Sequence, residues 1–268
     1  MNLTEKKLSC LVRRISERGH LKSIKAEFEA EGTRTDELLR LLDVTRHSNV
    51  PLTLKIGGCE AVKDLCEARQ FGARFIVAPM IESDYALKKF VTTVSKVYPD
   101  DEAEEVDFLF NVETIQAFQS FEAILQVALS SRLITGVVFG RTDFSGSLGI
   151  GGDVQNEQVT SAIESIARRI ASTGLDLVVG GAISVSSMPE LLRISRHKLT
   201  RFETRKVVFD AAKLNEPELE ESLLDAVHFE ILWLLNKSEY YGALQKEDSA
   251  RIAQLENRWN VLKRDILL

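Results

Sequence analysis

Two carboxylates close apolar runs in positions where they could do chemistry together. Glu113 ends FLFNVE, and Asp143 follows VVFG in the stretch GRTDFSGSLG. If the two runs are neighbouring strands, the carboxylates face one another. Two hard oxygen ligands with open positions suit Mg²⁺ or Mn²⁺, which keep waters and complete an octahedron with substrate oxygens. The same residues admit a plainer role, Glu113 capping the next helix and Asp143 ordering its loop. Other candidates at strand ends are Glu27, Glu29 and Glu31, Lys55 before Gly57 and Gly58, Met80 and Glu82, Arg141, Gly180 and Gly181, and Glu203, Arg205 and Lys206.

Several alternative chemistries lack their residues. The loop GRTDFSGSLGIGG (140–152) is glycine-rich, so its backbone N–H groups can approach a small anion. It has no Gly-Lys-Ser/Thr ending and no GxGxxG before a helix, which leaves a nucleotide site weakly supported. His20, His47, His197 and His228 are scattered, with no HExxH spacing. Cys59 and Cys66 form no CxxC pair, and no GxSxG nucleophile elbow occurs, so zinc and serine-hydrolase chemistry are not expected.

These candidates need a sheet that brings strand ends together. Strand-like runs occur at 21–29, 51–58, 74–80, 106–113, 133–140, 175–181 and 201–210, separated by helical patterns such as 34–49, 85–97 and 156–174. Continuous apolar strands alternating with helices indicate a parallel sheet covered by helices. In a parallel α/β barrel the βα loops at the carboxyl ends of the strands carry the site. The expected fold is α/β, a (β/α)8 TIM-barrel-like architecture with a C-terminal helical extension. Seven strand candidates fall one short of closure, so either an eighth strand is hidden or the barrel is incomplete, with an irregular first strand or the N-terminal helix covering the gap. The acidic DDEAEE (100–105) reads as a surface loop. The division expected is an N-terminal helix (1–20), a catalytic barrel (21–212) and C-terminal helices (213–268). In the last of these Ile252, Leu255, Trp259, Leu262 and Ile266 recur at three- and four-residue steps, a coiled-coil-like seam. Either a helix packed on its own barrel or an exchange between subunits would satisfy it.

Composition sets outer bounds. Of 268 residues 44% are apolar and 28% charged, ordinary for a globular chain. The net charge of -6 argues against a nucleic-acid partner. No apolar run approaches the roughly 18 residues that span a bilayer, and MNLTEKKLSC is not leader-like, so no membrane partner is expected. Three cysteines without a dense, even pattern point to a reducing, cytoplasmic setting.

Around Glu113 and Asp143 the sequence resembles a known family. VETIQAFQSFEAIL (112–125) followed by ITGVVFGRTDFSGSLGI (134–150) is similar to the metal-dependent (class II) pyruvate aldolases and the citrate lyase beta subunit. RFIVAPMIES (74–83), KAEFEAEG (25–32) and LTLKIGG (52–58) resemble its other strand-end segments more loosely. The resemblance implies a (β/α)8 barrel that assembles as a homo-oligomer, often with a C-terminal helix exchanged. It implies Glu113 and Asp143 as ligands of Mg²⁺, Mn²⁺ or Co²⁺. That ion would chelate a small oxo-acid and stabilise a pyruvate enolate as a Lewis acid while a carbon–carbon bond forms or breaks. Gly140 and Thr142, through backbone amides, and Glu82 would bind substrate.

Two departures from the family pattern matter. Lys55 stands where the family has an arginine, keeping the charge and losing the planar fork. Ala30 stands where the family has a histidine, so a carboxylate such as Glu29, or a metal-bound water, would handle protons. Arg141, bulkier than the family residue, is expected to bind a second anionic group. Other readings are a lyase of acyl-CoA, with Arg201, Arg205 and Lys206 as a cationic rim, and a barrel without turnover serving as scaffold or partner subunit.

Overall fold

The computed structural model describes the backbone of residues 1–267 and the side chains of 1–263. In chain order the elements are α1 (Leu3–Glu17), β1 (Leu21–Glu27), α2 (Thr35–Thr45), β2 (Leu52–Lys55), α3 (Val62–Gln70), β3 (Phe75–Ala78), α4 (Asp84–Val97), α5 (Asp100–Ala103) and β4 (Asp107–Val112). They continue with α6 (Ile115–Gln119), α7 (Phe121–Ser130), β5 (Ile134–Gly140), α8 (Arg141–Ser147), α9 (Glu157–Ile170), β6 (Asp176–Gly180), α10 (Met188–Ser195), β7 (Arg201–Glu203), β8 (Val207–Asp210) and α11 (Leu219–Leu267).

The strands close a barrel in sequence order, β1 to β8. β1 through β7 are parallel neighbours, whereas β8 runs antiparallel to both β7 and β1. The barrel is therefore mixed. The run 201–210, expected as one strand, is a hairpin: Thr204 donates its N–H to the Val207 carbonyl (2.9 Å), and its Oγ1 accepts from Val207 N (3.2 Å). The polar TRK triplet turns the chain where the pleat alternation breaks, and this supplies the strand missing from the sequence count. The irregularity lies at the closing seam, where the β1–β8 register shifts between Leu21 and Ser23.

Alternation along each strand divides two environments. Outward residues such as Ile24, Leu54, Ile76, Phe110, Phe139, Val179 and Phe209 join the helices in the main core. Inward residues Phe75, Val77, Leu109, Val138 and Val178 form a separate apolar plug inside the barrel. Above that plug, the inward positions near the strand ends turn polar.

Local chemistry sets the helix ends. Asn2 and Glu5 form a capping box on α1, whose Leu8, Leu11, Val12 and Ile15 are buried, as the sequence pattern indicates. Gly72, at φ 65°, turns the chain out of α3. DDEAEE, expected as a loop, contains α5, entered through Pro99 and anchored by buried Ala103. His20 is buried and tied to Ser222 (2.8 Å) and Glu216 (3.2 Å), fastening the start of β1 to the C-terminal segment.

Candidate active site

β4 and β5 are parallel neighbours, with Val112 registered on Phe139, so Glu113 and Asp143 emerge at adjacent strand ends. Asp143 is not in a loop: GRTDFSGS forms the short helix α8, anchored by buried Phe144, and the acid lies in its first turn. The two carboxylates come within hydrogen-bonding reach. Burial first, and then the Glu113 charge, push the Asp143 carboxyl above its usual range. They share a cavity of about 380 Å³ with Lys25, Glu27, Lys55, Asn111, Gly140, Thr142, Gly180, Gly181, Glu203 and Glu230 among its lining residues. A larger hollow of about 550 Å³ between α1, α2 and α11 contains no strand-end group, so size alone does not mark the site.

Glu113 is 1% exposed and tightly held. Its Oε2 accepts from Asn111 Nδ2 (2.6 Å) and Lys55 Nζ (3.1 Å), and its Oε1 accepts from Met80 N (2.9 Å). Met80 has φ 50°, a left-handed conformation that costs a non-glycine residue roughly 1–3 kcal/mol. That turn aims its N–H at the carboxylate. Gly140 leaves the necessary room, since a Cβ there would lie 3.0 Å from both Glu113 Cβ and Oε2.

Two lysines lie among acids. Lys55 Nζ is 2.7 Å from Glu29 and 3.1 Å from Glu113. Burial works against its charge, yet Glu113 and Glu29 outweigh it and hold the ammonium above the usual lysine range. Lys25 Nζ is 2.5 Å from Glu203 and 3.0 Å from Glu27, and is likewise raised against the opposing burial. Glu27 is correspondingly lowered: burial pushes it up, and Lys25 overrides that. Both lysines are therefore cations at neutral pH. On the opposite wall Gly181, at φ 92°, carries no Cβ; one placed there would sit 2.7 Å from Thr142 N and 3.0 Å from Arg141 N. Thr142, Gly180 and Gly181 line the cavity, so the start of α8 borders it.

Three sequence expectations are corrected. Arg141 is fully buried and faces away from the cavity. It donates to the Gly181 carbonyl (3.0 and 2.6 Å), to Ser187 (3.3 Å) and to Glu190, so its guanidinium locks the Gly180–Ala182 turn and has no substrate anion to meet. Glu82 is exposed outside the cavity and accepts from Thr114 Oγ1 (2.7 Å), because Ser83 immediately starts α4 and directs the chain outward. The cationic rim is also not assembled. Arg201 pairs with Asp176 (2.8 Å) where β6 and β7 begin, and Lys206 is buried against Glu31, leaving Arg205 exposed.

Lys55, Glu29, Gly140, Thr142, Glu113 and Asp143 are gathered at or beside the cavity. Lys25 and Asn111 are additions. Lys25 belongs to the inward polar series Ser23, Lys25, Glu27 of LKSIKAE, and Asn111 is the inward polar residue two positions after Leu109 in DFLFNV, a period-2 signal in both strands.

The donor set fits a small divalent cation. Two hard oxygens converge, and the Asp143 carboxyl is raised first by burial and then by the Glu113 charge, both of which a cation would offset. Among the described residues no group of three or more His, Cys, Asp or Glu converges as a ligand set. Such an ion would keep positions for water and substrate oxygens.

Comparison with known proteins follows this geometry. Residues 36–193 match the family model described as HpcH/HpaI aldolase/citrate lyase. No curated protein sequence matches the chain. Among solved structures it is similar to an HpcH/HpaI aldolase from Desulfitobacterium hafniense DCB-2, with TM-score 0.58 and 18% identity over 73% of this chain and 82% of that one. A family protein from Burkholderia cenocepacia J2315 gives TM-score 0.60 and 14% identity over 89% and 90%. Citrate synthase SbnG gives 0.59 and 15% over 88% and 90%. At these identities the structural likeness bears on the barrel fold.

Proposed function

The chain belongs to the HpcH/HpaI aldolase/citrate lyase family and is a lyase-type enzyme, and on that premise we propose that it makes or breaks a carbon–carbon bond next to a 2-oxo acid through a pyruvate-type enolate. The observation that carries this reading is the meeting of Glu113, Asp143 and a protonated Lys55 in one cavity at the carboxyl ends of the strands.

Glu113 and Asp143 are the residues that would hold Mg²⁺, Mn²⁺ or Co²⁺, and the ion would supply Lewis acidity toward the oxo-acid's oxygens. The chain's own groups do the rest. The space beside the Arg141 and Thr142 N–H groups accepts the substrate carboxylate. Lys55 places a fixed positive charge where negative charge develops on the keto oxygen, in surroundings where water screens it little. Its raised pKa argues against a Schiff base, which needs a neutral amine. Glu29, in contact with Lys55 and half-buried, is the carboxylate placed to move a proton in the absence of a histidine at Ala30. Asn111 and the Met80 N–H fix Glu113 so that its remaining lone pair faces the cavity.

The dispersal of Arg201, Arg205 and Lys206 supports a small oxo-acid over acyl-CoA. No described helix is long and apolar enough to cross a membrane. A cytoplasmic location and homo-oligomeric assembly belong to the same proposal, the first supported by the free thiols of Cys10, Cys59 and Cys66. Incubation with pyruvate and Mn²⁺ in D₂O tests the chemistry. Deuterium entering the methyl group supports an enolate-forming enzyme, whereas no uptake with Mg²⁺, Mn²⁺ or Co²⁺ favours a barrel without turnover.

A further inference from the structure

α11 is a continuous helix of 49 residues that shows two faces. One, with Leu219, Leu223, Ala226, Phe229 and Trp233, is buried on the barrel. The other carries a second apolar strip that nothing covers. Its first block is Leu224, Val227, Ile231 and Leu234, and its second is Ile252, Leu255, Trp259 and Leu262. All eight are exposed, from 37% at Val227 to 65% at Trp259. From Gly242 to Lys263 every residue is exposed, so the second block projects beyond the barrel. The steps between these residues alternate three and four, and the alternation continues through Ser238, Tyr241, Gln245 and Asp248 between the blocks. The heptad spacing thus runs about 57 Å along the helix at 1.5 Å per residue, with Tyr241 at its centre held on α2 by a hydrogen bond from its hydroxyl to Glu37 (2.6 Å).

We propose that this seam is the docking surface for a second copy of the chain, the two α11 helices pairing antiparallel about a two-fold axis near Ala243. In that register Leu224 meets Leu262 of the second copy, Val227 meets Trp259, Ile231 meets Leu255 and Leu234 meets Ile252. Every apolar position of one block finds an apolar position of the other, and the interface is self-complementary, as a two-fold axis requires.

The polar centre selects this direction. Antiparallel pairing sets Asp248 opposite Ser238, a hydrogen-bonding partner. Parallel pairing would set Asp248 against itself in the seam, a like-charge layer with no compensating cation at that level. On the flanks Glu230 falls near Arg258 of the second copy and Glu221 near Lys263, but Glu230 already accepts from Arg205 N (2.8 Å) and Lys206 N (3.2 Å), and Glu221 already pairs with Arg18 (2.7 Å). Lys237 falls near Arg251, but its ammonium already pairs with Glu37 (2.9 Å). The parallel arrangement would bring Arg258 beside Lys263. Leu244, also exposed, meets its own copy close to the axis. The inference is independent of the chemistry proposed above.

Sedimentation of the full chain at about 10 μM is expected to give a dimer. Ile252→Glu with Leu255→Glu lies off the barrel and is expected to give a monomer with unchanged barrel melting. Leu234→Cys with Ile252→Cys, oxidised and mapped by non-reducing peptide analysis, is expected to link residue 234 of one chain to 252 of the other, with neither single variant linking to itself. A wild-type monomer, an assembly that survives I252E/L255E, self-linking single variants (a parallel pair) or a link confined within one chain (a fold-back at Gly242) would each overturn the proposal.

Discussion

Removing the charge of Lys55 tests whether the cation and Glu113 act as a unit. Their side chains are 7% and 1% exposed and 3.1 Å apart. At an effective dielectric of about 20, that separation corresponds to about 5 kcal/mol of attraction before desolvation. Lys55 also answers to Glu29, and Glu113 retains Asn111 and the Met80 N–H, so either partner is partly compensated when the other is lost. A double-mutant cycle of Lys55→Met and Glu113→Gln is therefore expected to show about 2 kcal/mol of coupling, the double variant being destabilised by that much less than the two single variants sum to. Urea unfolding of the four proteins at neutral pH measures it. Because the Lys55 pKa is raised, its stabilisation is complete below the ordinary lysine pKa and is lost only as pH rises through the raised folded value. Additivity within about 0.5 kcal/mol would refute the pairing.

Asp143 carries the opposite sign. Its raised carboxyl costs stability above the folded pKa and costs nothing below the unfolded one, so Asp143→Asn should raise the melting temperature at pH 7 and lose that advantage on acidification. Mn²⁺ should raise the melting temperature of the wild type and leave that of Asp143→Asn almost unchanged, as thermal scans will show. Gly140→Ala, whose Cβ would press on Glu113, should weaken Mn²⁺ binding about tenfold in calorimetry, about 1.4 kcal/mol. Arg141→Ala strands Glu190 and frees the Gly180–Ala182 turn, so it should cost about 3–5 kcal/mol in unfolding experiments; an undiminished stability with a raised KM would restore the substrate-anion role.

The α/β barrel and the proximity of Glu113 and Asp143 were legible because each acid follows an apolar run that forms a strand, Asp143 within the first turn of α8. Lys25 and Asn111 were harder to see, since a polar residue one pleat inside a strand looks like an outward position until the barrel's handedness of facing is known. Arg141 misled for a related reason: beside glycines and serines it reads as solvent-facing, and its partner Glu190 lies far along the chain. The same composition hid α8, which holds together through the burial of Phe144. The eighth strand was concealed inside 201–210, where only the hydrogen bonds between Thr204 and Val207 reveal a reversal. The expected distal seam is present as exposed residues through Leu262, and the side chain of Ile266 lies outside the described residues.

The most direct test is a crystal grown with Mn²⁺ and oxalate, an unreactive mimic of the pyruvate enolate. The account predicts an anomalous peak bound by one oxygen each of Glu113 and Asp143, with an oxalate carboxylate beside the Arg141 and Thr142 N–H groups and Lys55 on the enolate-mimicking oxygen. A cavity that stays free of manganese, or carboxylates turned away from each other with the ion elsewhere, would contradict it.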